Sequence, residues 1–225
     1  MASREPGCVR LPVRPWFLAP PLRVAADPAA EVLTLHTIQT LEAYEQLMAT
    51  GVLVGDPSRG DAEFQEAYAW MLEQMDRRGV PGAPGGMVWL YALTSRRDLC
   101  RSARRARGDV LLTVRMARGR VLISDIADWC VVPNRYVHVP LRPGESEASW
   151  DERWEATDAE FTARSRPYTD LPMRQWPADL REQIELSWEA IFDPSTWAPG
   201  RMLQATAREL RAEDIVGAVR IARTL

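Results

Sequence analysis

The clearest hydrophobic periodicity in the chain lies in the segment 61–78. Apolar residues recur there at spacings of three and four, the pattern of a helix with one buried face. A second apolar stripe predicts a helix over 177–192, and the proline at its start suits a first helical position. A third helix is expected in an acidic segment around 145–165, where Ser149 and Glu152 have the spacing of a capping box.

Alternation of β-branched and other residues over 32–38 predicts the first strand of the core. Thr40 can cap the helix that follows, and Gly51 stands where the end of that helix favours a positive φ. A short strand over 52–54 comes next. Further strands are predicted at 87–93, 136–139, 202–210 and 215–221, and the segments 110–116 and 120–124 are predicted to form a β-hairpin around Gly119.

Together these elements predict an α+β fold with a mostly antiparallel sheet and packed helices. The hairpin and the short links leave little room for regular crossover helices. Residues 1–30 mix proline, alanine and arginine without periodicity, so we expect an extended or disordered lead-in. Residues 31–225 are expected to form a single domain, because a chain of 225 residues with 46% apolar content can bury a core.

The chain contains no lysine, and all 28 of its basic side chains are arginine. The absence of lysine excludes lysine Schiff-base chemistry and a P-loop. Because the chain has only two histidines, a multi-histidine metal centre is also excluded. A formal net charge of -3 provides no overall attraction to nucleic acid or to an anionic membrane. Three widely spaced cysteines and the lack of a long apolar run indicate a cytoplasmic protein without a membrane span.

Several polar residues are candidates for chemistry, and each also has a purely structural explanation. His36 lies in the middle of a predicted strand, as either a hydrogen-bonded sheet residue or a ligand-binding group. Gln39 either ends this strand or lines a cleft beside His36. Ser124, Asp125 and Asp128 follow another strand and either cap a helix or position a substrate or an ion.

One segment of the chain is densely basic. Arginine forks match phosphate oxygens, although most arginine-rich segments are solvated loops. No aromatic residue interleaves with these arginines, which argues against a stacking surface for single-stranded nucleic acid. The arginines of this segment are Arg96, Arg97, Arg101, Arg104, Arg105 and Arg107.

Five groups of short motifs are informative together. They are Thr37-Ile38-Gln39, Ala67-Tyr68-Ala69-Trp70-Met71, Leu122-Ile123-Ser124-Asp125 with Trp129, Ser187-Trp188-Glu189 with Ile191-Phe192-Asp193, and Gln204-Ala205-Thr206. As a joint pattern they resemble a bacterial family catalogued only as a domain of unknown function. The resemblance covers the chain from residue 32 onwards and implies no activity.

A second resemblance has chemical content. The strand-helix opening and the late Gln204-Ala205-Thr206 segment are similar to the layout of ADP-ribosyltransferases. In that fold, the first strand offers a histidine or an arginine to the ribose of NAD. A late strand offers a Gln-x-Glu or Glu-x-Glu whose last carboxylate stabilises the oxocarbenium-like ribose. The resemblance implies that His36 and Gln204 are catalytic and that NAD is the cofactor.

In this chain the last position of the late motif is Thr206, which carries no charge. Three alternatives follow: Glu209 or Glu189 supplies the carboxylate from elsewhere, the chemistry is assisted by the substrate, or the domain binds without catalysing. Four further residues are expected to contact the cofactor, namely Thr37, Gln39, Arg96 and Arg97.

Two functions therefore remain as hypotheses. The first is a nucleotide-binding, NAD-dependent enzyme similar to ADP-ribosyltransferases. The second is a non-catalytic module that holds a polyanion or a protein partner through the arginine-rich segment, with nucleic acid as the less favoured polyanion. The two differ in whether a carboxylate converges with His36 and Gln204.

Overall fold

A seven-stranded sheet is the central element of the computed structural model, which describes residues 11–15, 29–197 and 200–222. Most of the predicted lead-in over 1–30 lies outside the described residues. The strands are β1 (Val13–Arg14), β2 (Val32–Gln39), β3 (Val52–Val54), β4 (Val88–Leu93), β5 (Val110–Ala117), β6 (Val121–Asp125), β7 (Leu203–Ala207), β8 (Glu209–Arg211) and β9 (Ile215–Ile221).

Helices pack on both faces of this sheet. They are α1 (Leu41–Thr50), α2 (Gln65–Arg77), α3 (Arg96–Arg105), α4 (Ile126–Trp129), α5 (Glu147–Ser165) and α6 (Ala178–Trp188). Short 3-10 turns extend two of them, Ala62–Phe64 before α2 and Glu189–Phe192 after α6. These helices confirm the predictions for the segments 61–78 and 177–192. In the described part of the chain, no helix combines the length and the apolar character that crossing a membrane requires.

The strand order of the large sheet is β1-β9-β5-β2-β4-β7-β6, and β3 pairs with β8 in a separate two-stranded sheet. The β1–β9 pair is parallel, and the other neighbouring strands are antiparallel. The predicted α+β fold with a mostly antiparallel sheet is therefore confirmed.

The opening of the domain follows its local sequence signals. The Thr40 hydroxyl accepts a hydrogen bond from the backbone N–H of Ala43 at 3.1 Å and caps α1. Gly51 ends the same helix with φ of 81°, a left-handed conformation that a residue without Cβ adopts at little cost. Both predictions are confirmed, and β3 follows at once.

The two faces of the large sheet carry separate apolar cores. On one face, which we call the α1 face, Leu35 and Ile123 pack in one cluster with Leu47 of α1. On the opposite face, which we call the α2 face, Leu122 packs with Met71 of α2. Because successive residues of a strand point to opposite faces, the sequence neighbours Leu122 and Ile123 belong to different cores.

The predicted hairpin between 110–116 and 120–124 is wrong. Both segments are strands, but β5 lies between β2 and β9, so both of its hydrogen-bonding edges are occupied. β6 pairs with β7 at the edge of the sheet. A 3-10 turn over Arg118–Arg120 separates the two strands, and Arg120 forms a two-pronged ion pair with Asp214 just before β9.

The predicted strand over 136–139 is also absent. Side chains, rather than a neighbouring strand, satisfy the backbone of this segment. Trp188 and Trp150 donate their indole N–H groups to the carbonyls of Tyr136 and Val139. The backbone N–H of His138 donates to the Ser187 hydroxyl. An extended apolar segment thus becomes a buried loop, because tryptophan and serine donors take the place of a ladder.

Two smaller expectations also change. The capping residue of α5 is Ser146, whose hydroxyl accepts from the N–H of Ser149, so the predicted capping box at Ser149 and Glu152 begins three residues too late. The predicted strand 202–210 is divided into β7 and β8, which belong to different sheets. Arg208 stands at the division with its side chain buried, and it forms an ion pair with Asp76 of α2.

Candidate functional site

A row of polar side chains crosses the middle of the large sheet. The register pairs His36 with Thr113 on one side and with Tyr91 on the other. Tyr91 pairs with Gln204, and Gln204 pairs with Ser124. Directly opposed residues on neighbouring strands share a face, so the five residues form one line on the α2 face. We call this line the polar row.

The polar row marks the border between a covered and an open part of this face. On the covered side, Ile38 and Leu111 pack with Leu99 of α3. On the open side, the next residues of β2 and β5 on the same face are Thr34 and Arg115, which face each other and are exposed. The polar row is therefore bordered by apolar packing on one side and by exposed polar side chains on the other.

His36 is the most enclosed polar group near the centre of the row, with 2% of its surface exposed. Its Nδ1 lies 3.1 Å from the Thr113 hydroxyl. Its Nε2 is buried and has no hydrogen-bond partner among the described residues. Burial lowers the pKa of His36 to about 4, so the ring is neutral at physiological pH.

Tyr91 and Gln204 are half-buried, so the row is not sealed inside the core. The Tyr91 hydroxyl donates to Ser102 of α3 at 3.0 Å, which fixes the ring beside that helix. The Gln204 amide donates to the buried Ser124 hydroxyl at 3.2 Å. The row thus combines neutral donors and acceptors that are held by defined partners.

The structure brings the two predicted catalytic residues of the sheet to the same face. His36 and Gln204 are separated only by the strand that carries Tyr91, which corresponds to about 10 Å at the usual strand spacing. Thr37 and Gln39 have the opposite strand parity and face the α1 side, where the Gln39 amide donates to the Thr37 hydroxyl at 2.8 Å. Their side chains therefore lie on the other side of the sheet from His36.

The predicted arginines Arg96 and Arg97 follow the strand that carries Tyr91. α3 begins at Arg96, three residues after β4 ends, so its first turn follows the end of β4 that points towards the open side. Arg96 and Arg97 are both exposed in this turn. The arginine-rich segment is thus a helix rather than a solvated loop, and its apolar residues Leu99 and Ala103 are buried against the sheet.

The carboxylates expected to replace a charge at Thr206 are engaged elsewhere. Glu189 forms ion pairs with Arg77 and Arg78 at the end of α2. Glu209 accepts from Arg211 and from a backbone N–H in the loop before β4. Thr206 itself is fully buried, and its hydroxyl lies 3.7 Å from the sulfur of Met71.

A second group of ionisable residues lies where β6 ends and β7 begins. Asp125 caps α4 by accepting from two backbone N–H groups, and it has no exposed surface. Arg201 lies 3.7 Å from a carboxylate oxygen of Asp125 and 3.3 Å from one of Asp128. The second oxygen of Asp128 lies 3.8 Å from Nε2 of His138. We call these four residues the acidic cluster.

The acidic cluster borders a cavity of about 560 Å³, a volume in the range of small-molecule sites. Burial, assisted by the neighbouring Asp125 carboxylate and opposed by Arg201, raises the pKa of Asp128 to about 6. Burial lowers the pKa of His138 to about 4 despite the attraction of Asp125. His138 is therefore neutral at pH 7, and its contact with Asp128 is not an ion pair.

Two of the four residues of the acidic cluster were predicted from the sequence. Asp125 and Asp128 were candidates, and the helix-capping role expected of such residues is confirmed for Asp125. His138 and Arg201 were not predicted, because they come from an irregular loop and from the segment before β7. The scarcity of histidine in the chain is the one sequence feature that could have directed attention to His138.

Across the residues that the structure describes, no three histidine, cysteine, aspartate or glutamate side chains are grouped closely enough to hold a metal ion. In the acidic cluster, Arg201 lies between the two carboxylates that a cation would otherwise join.

Tryptophan and phenylalanine side chains from several of the five motif groups contact one another on the α2 face. Trp70 meets Trp188 edge-to-face at 5.4 Å and stacks on Phe192 at 5.7 Å between ring centroids. Trp89, the residue of β4 next to the polar row on this face, contacts Trp129 at 5.0 Å. These packed rings connect distant motifs in one core and support the covered side of the row.

Comparison with known proteins identifies a family for this chain. A family model described as a domain of unknown function, DUF3841, matches residues 34–216 and so covers most of the chain. No curated protein and no solved structure matches the chain. The matched range includes all five motif groups, from Thr37 to Thr206. The chain therefore belongs to the DUF3841 family of domains of unknown function.

Proposed function

We propose that the protein binds a nucleotide of the NAD class along the polar row. The observation that carries this proposal is the convergence of His36, Tyr91 and Gln204 in one register on one face, at the border of the open part of the sheet. These residues come from an early, a middle and a late strand. Neutral hydrogen-bonding groups of this kind suit ribose hydroxyls and a carboxamide, which carry no charge.

Each residue of the row offers a specific contact. A ligand hydroxyl that bonds to Nε2 of His36 removes the cost of a buried polar atom without a partner. Gln204 offers its amide oxygen and a second N–H in addition to the N–H that bonds Ser124. The half-buried ring of Tyr91 offers a flat surface on which a base or a nicotinamide ring stacks.

The phosphates of the ligand have cationic partners on the open side of the row. Arg115 is exposed there, two residues along β5 from Thr113. Arg96 and Arg97 occupy the first turn of α3, where backbone N–H groups and the helix dipole also favour an anion. Guanidinium groups match phosphate oxygens with paired hydrogen bonds. This arrangement supports a ligand with neutral groups on the row and phosphates towards these arginines.

We expect the chain by itself to hold NAD intact. Cleavage of the bond to nicotinamide creates positive charge on the ribose, which a nearby carboxylate must stabilise. Thr206 cannot do so, and Glu189 and Glu209 are engaged by other partners. Of the alternatives open at the sequence level, binding without catalysis fits these contacts best.

Isothermal titration with NAD tests the binding proposal. Gln204→Leu removes both functions of the amide at similar volume, and we expect affinity to fall about ten-fold, the size of one lost hydrogen bond with its partner left unpaired. Gln46→Leu is the matched control, because Gln46 is exposed on α1 at the opposite face. Absence of heat with NAD, or equal losses in the two variants, contradicts the proposal.

A nicotinamide-release assay tests the second half of the proposal. The wild-type chain is incubated with NAD, alone and with cell extract as a source of acceptors. We expect NAD to be recovered unchanged in both cases. Release of nicotinamide by the wild-type chain and not by Gln204→Leu contradicts binding without catalysis and shows that the chain cleaves NAD.

A second candidate function rests on α3. All six arginines of the segment 96–107 are exposed, while its buried residues anchor the helix to the sheet. This surface fits a polyanion or an acidic protein partner without any catalytic step. The double variant Arg104→Ala and Arg105→Ala removes two of the six charges, both at the C-terminal end of α3.

Salt dependence separates this candidate from nucleotide binding. A polyanion such as RNA or DNA should bind through α3 with an affinity that falls steeply as salt increases, and the double variant should flatten that slope. NAD binding through the polar row should change little in the same variant. Unchanged polyanion binding by the double variant excludes α3 as the binding surface.

A further inference from the structure

The cavity beside the acidic cluster is a second site, separate from the polar row. Its lining combines aliphatic and aromatic side chains with polar and charged ones, among them Asp128, His138 and Arg201. Val131, Val139 and Leu141 contribute aliphatic surface, and Trp150 and Trp154 contribute rings whose centroids are 6.5 Å apart. Trp150 is fixed by its N–H bond to the Val139 carbonyl, whereas Trp154 is 41% exposed.

The charge around this cavity is unbalanced. Asp125 and Asp128 share the single guanidinium of Arg201, and Glu147 adds a third carboxylate at the wall. Glu145 also lines the cavity, but Arg153 neutralises it through hydrogen bonds of 2.6 and 2.8 Å. Asp125 is buried behind the lining, so Asp128 and Glu147 are the carboxylates that face Arg201 at the wall, and together with Asp125 they leave an excess of negative charge.

Two buried acceptors near the cavity lack partners. Nε2 of His138 and one carboxylate oxygen of Asp125 have no hydrogen bond to any described residue. His138 lines the cavity and exposes only 8% of its surface. Because His138 is neutral, Nε2 accepts a hydrogen bond in the tautomer that carries its proton on Nδ1. A ligand N–H group would satisfy this acceptor and the Asp128 carboxylate beside it.

We propose that this cavity binds a small organic cation with an aromatic or apolar body. The carboxylate excess attracts the charge, and the Asp128 and His138 acceptors receive its N–H groups. The body contacts the aliphatic wall and the faces of Trp150 and Trp154, where a cation is also attracted by the ring electrons. An anion is disfavoured, because Arg201 is already shared by two carboxylates.

The test compares three probes of similar shape and different charge by isothermal titration. They are 2-phenylethylammonium, the neutral 2-phenylethanol and the anionic 3-phenylpropanoate. We expect the ammonium to bind at least about ten-fold more tightly than the alcohol, and the carboxylate to be the weakest. Equal affinity for ammonium and alcohol, tighter binding of the anion, or no binding of any probe overturns the proposal.

Variants locate the bound probe. Asp128→Asn keeps the shape of the side chain, and we expect it to weaken ammonium binding at least about ten-fold while leaving the alcohol unchanged. Trp154→Ala alters an exposed ring and should weaken all aromatic probes without unfolding the chain. Glu155→Gln is the control, because this exposed residue of α5 is not part of the cavity wall. Equal effects of Asp128→Asn and Glu155→Gln contradict the proposed position.

The pH dependence provides a second readout. Asp128 accepts a proton near pH 6, so we expect ammonium binding to be about ten-fold weaker at pH 5 than at pH 7. Two neighbouring groups keep their charge between these pH values, because the pKa of His138 is about 4 and that of Glu145 is held at about 2 by Arg153. Asp128→Asn should abolish the dependence, and a persistent dependence in that variant overturns the assignment.

Discussion

Buried His36 makes the stability of the domain sensitive to acid. The pKa of His36 is about 4 in the folded chain and about 6.5 when the ring is exposed by unfolding. Because the folded pKa is the lower of the two, this contribution to stability is complete above pH 6.5. It is lost as the pH falls towards 4, since the unfolded chain then binds the proton more readily.

The size of the effect follows from the two pKa values. At about pH 5 the unfolded histidine is largely protonated and the folded one is not, which removes about 2 kcal/mol from the free energy of unfolding. His36→Gln keeps a polar side chain that can bond Thr113 but does not titrate. Between about pH 7.5 and pH 5, we therefore expect the free energy of unfolding of this variant to fall by about 2 kcal/mol less than that of the wild type.

Urea unfolding followed by tryptophan fluorescence, at both pH values and for both chains, measures this difference. Other groups titrate in the same range: His138 also loses stability on acidification, while the raised pKa of Asp128 acts in the opposite direction. These contributions are common to both chains and cancel in the comparison. Parallel pH profiles for wild type and His36→Gln would refute the claim that this ring is buried and neutral.

Two further predictions concern the packing that supports the sites. Asp76→Ala should lower the free energy of unfolding in urea by about 2 kcal/mol, because the buried Arg208 guanidinium loses its carboxylate partner, although Asp76 itself is largely exposed. Asp179→Ala, at an exposed ion pair, should cost under about 1 kcal/mol. Gly55→Ala should lower the melting temperature, because the new Cβ would lie 1.9 Å from a backbone carbonyl oxygen, whereas Gly119→Ala meets open space and should change little. Equal losses within either pair contradict the packing described.

Local signals predicted the elements that depend on near neighbours in sequence. The helix over 61–78 was visible because its apolar stripe repeats with the helical period. Thr40 and Gly51 were recognisable as the ends of α1 because capping needs residues only a few positions away. Strand β2 likewise followed from its alternation, since its side chains divide between two cores.

Local sequence signals could not predict which strands pair with each other. A strand has two edges, and the sequence does not say whether they bond to the next strand or to a distant one. The segments 110–116 and 120–124 looked like a hairpin because they are close in the chain, but β9 and β2 occupy both edges of β5. In the same way, extended residues such as Val137 form a loop here, because Trp150 and Trp188 supply its backbone with donors.

The candidate sites show the same limit. The sequence indicated His36 and Gln204, and alternation along β2 would have placed Thr37 and Gln39 on the other face. The sequence does not distinguish Tyr91 from other strand tyrosines, and only the register of β4 places it between His36 and Gln204. Residues joined by long-range register carry no local signature.

The two sites lie side by side along the same strands. Ser124 of the polar row is followed directly by Asp125 of the acidic cluster. Arg201 precedes Gln204 by three residues and lies just before β7. Ligands at the two sites would therefore meet near the common end of β6 and β7, and simultaneous titration of NAD and an organic cation would reveal coupling between them.

A crystal structure of the protein soaked with NAD examines the polar row most directly. We predict that the ligand lies against the Tyr91 ring, with hydrogen bonds to Gln204 and to Nε2 of His36, and with its phosphates towards Arg115 and the first turn of α3. A ligand bound on the α1 face, or one seated in the cavity beside Trp150 with the polar row empty, would contradict the proposal.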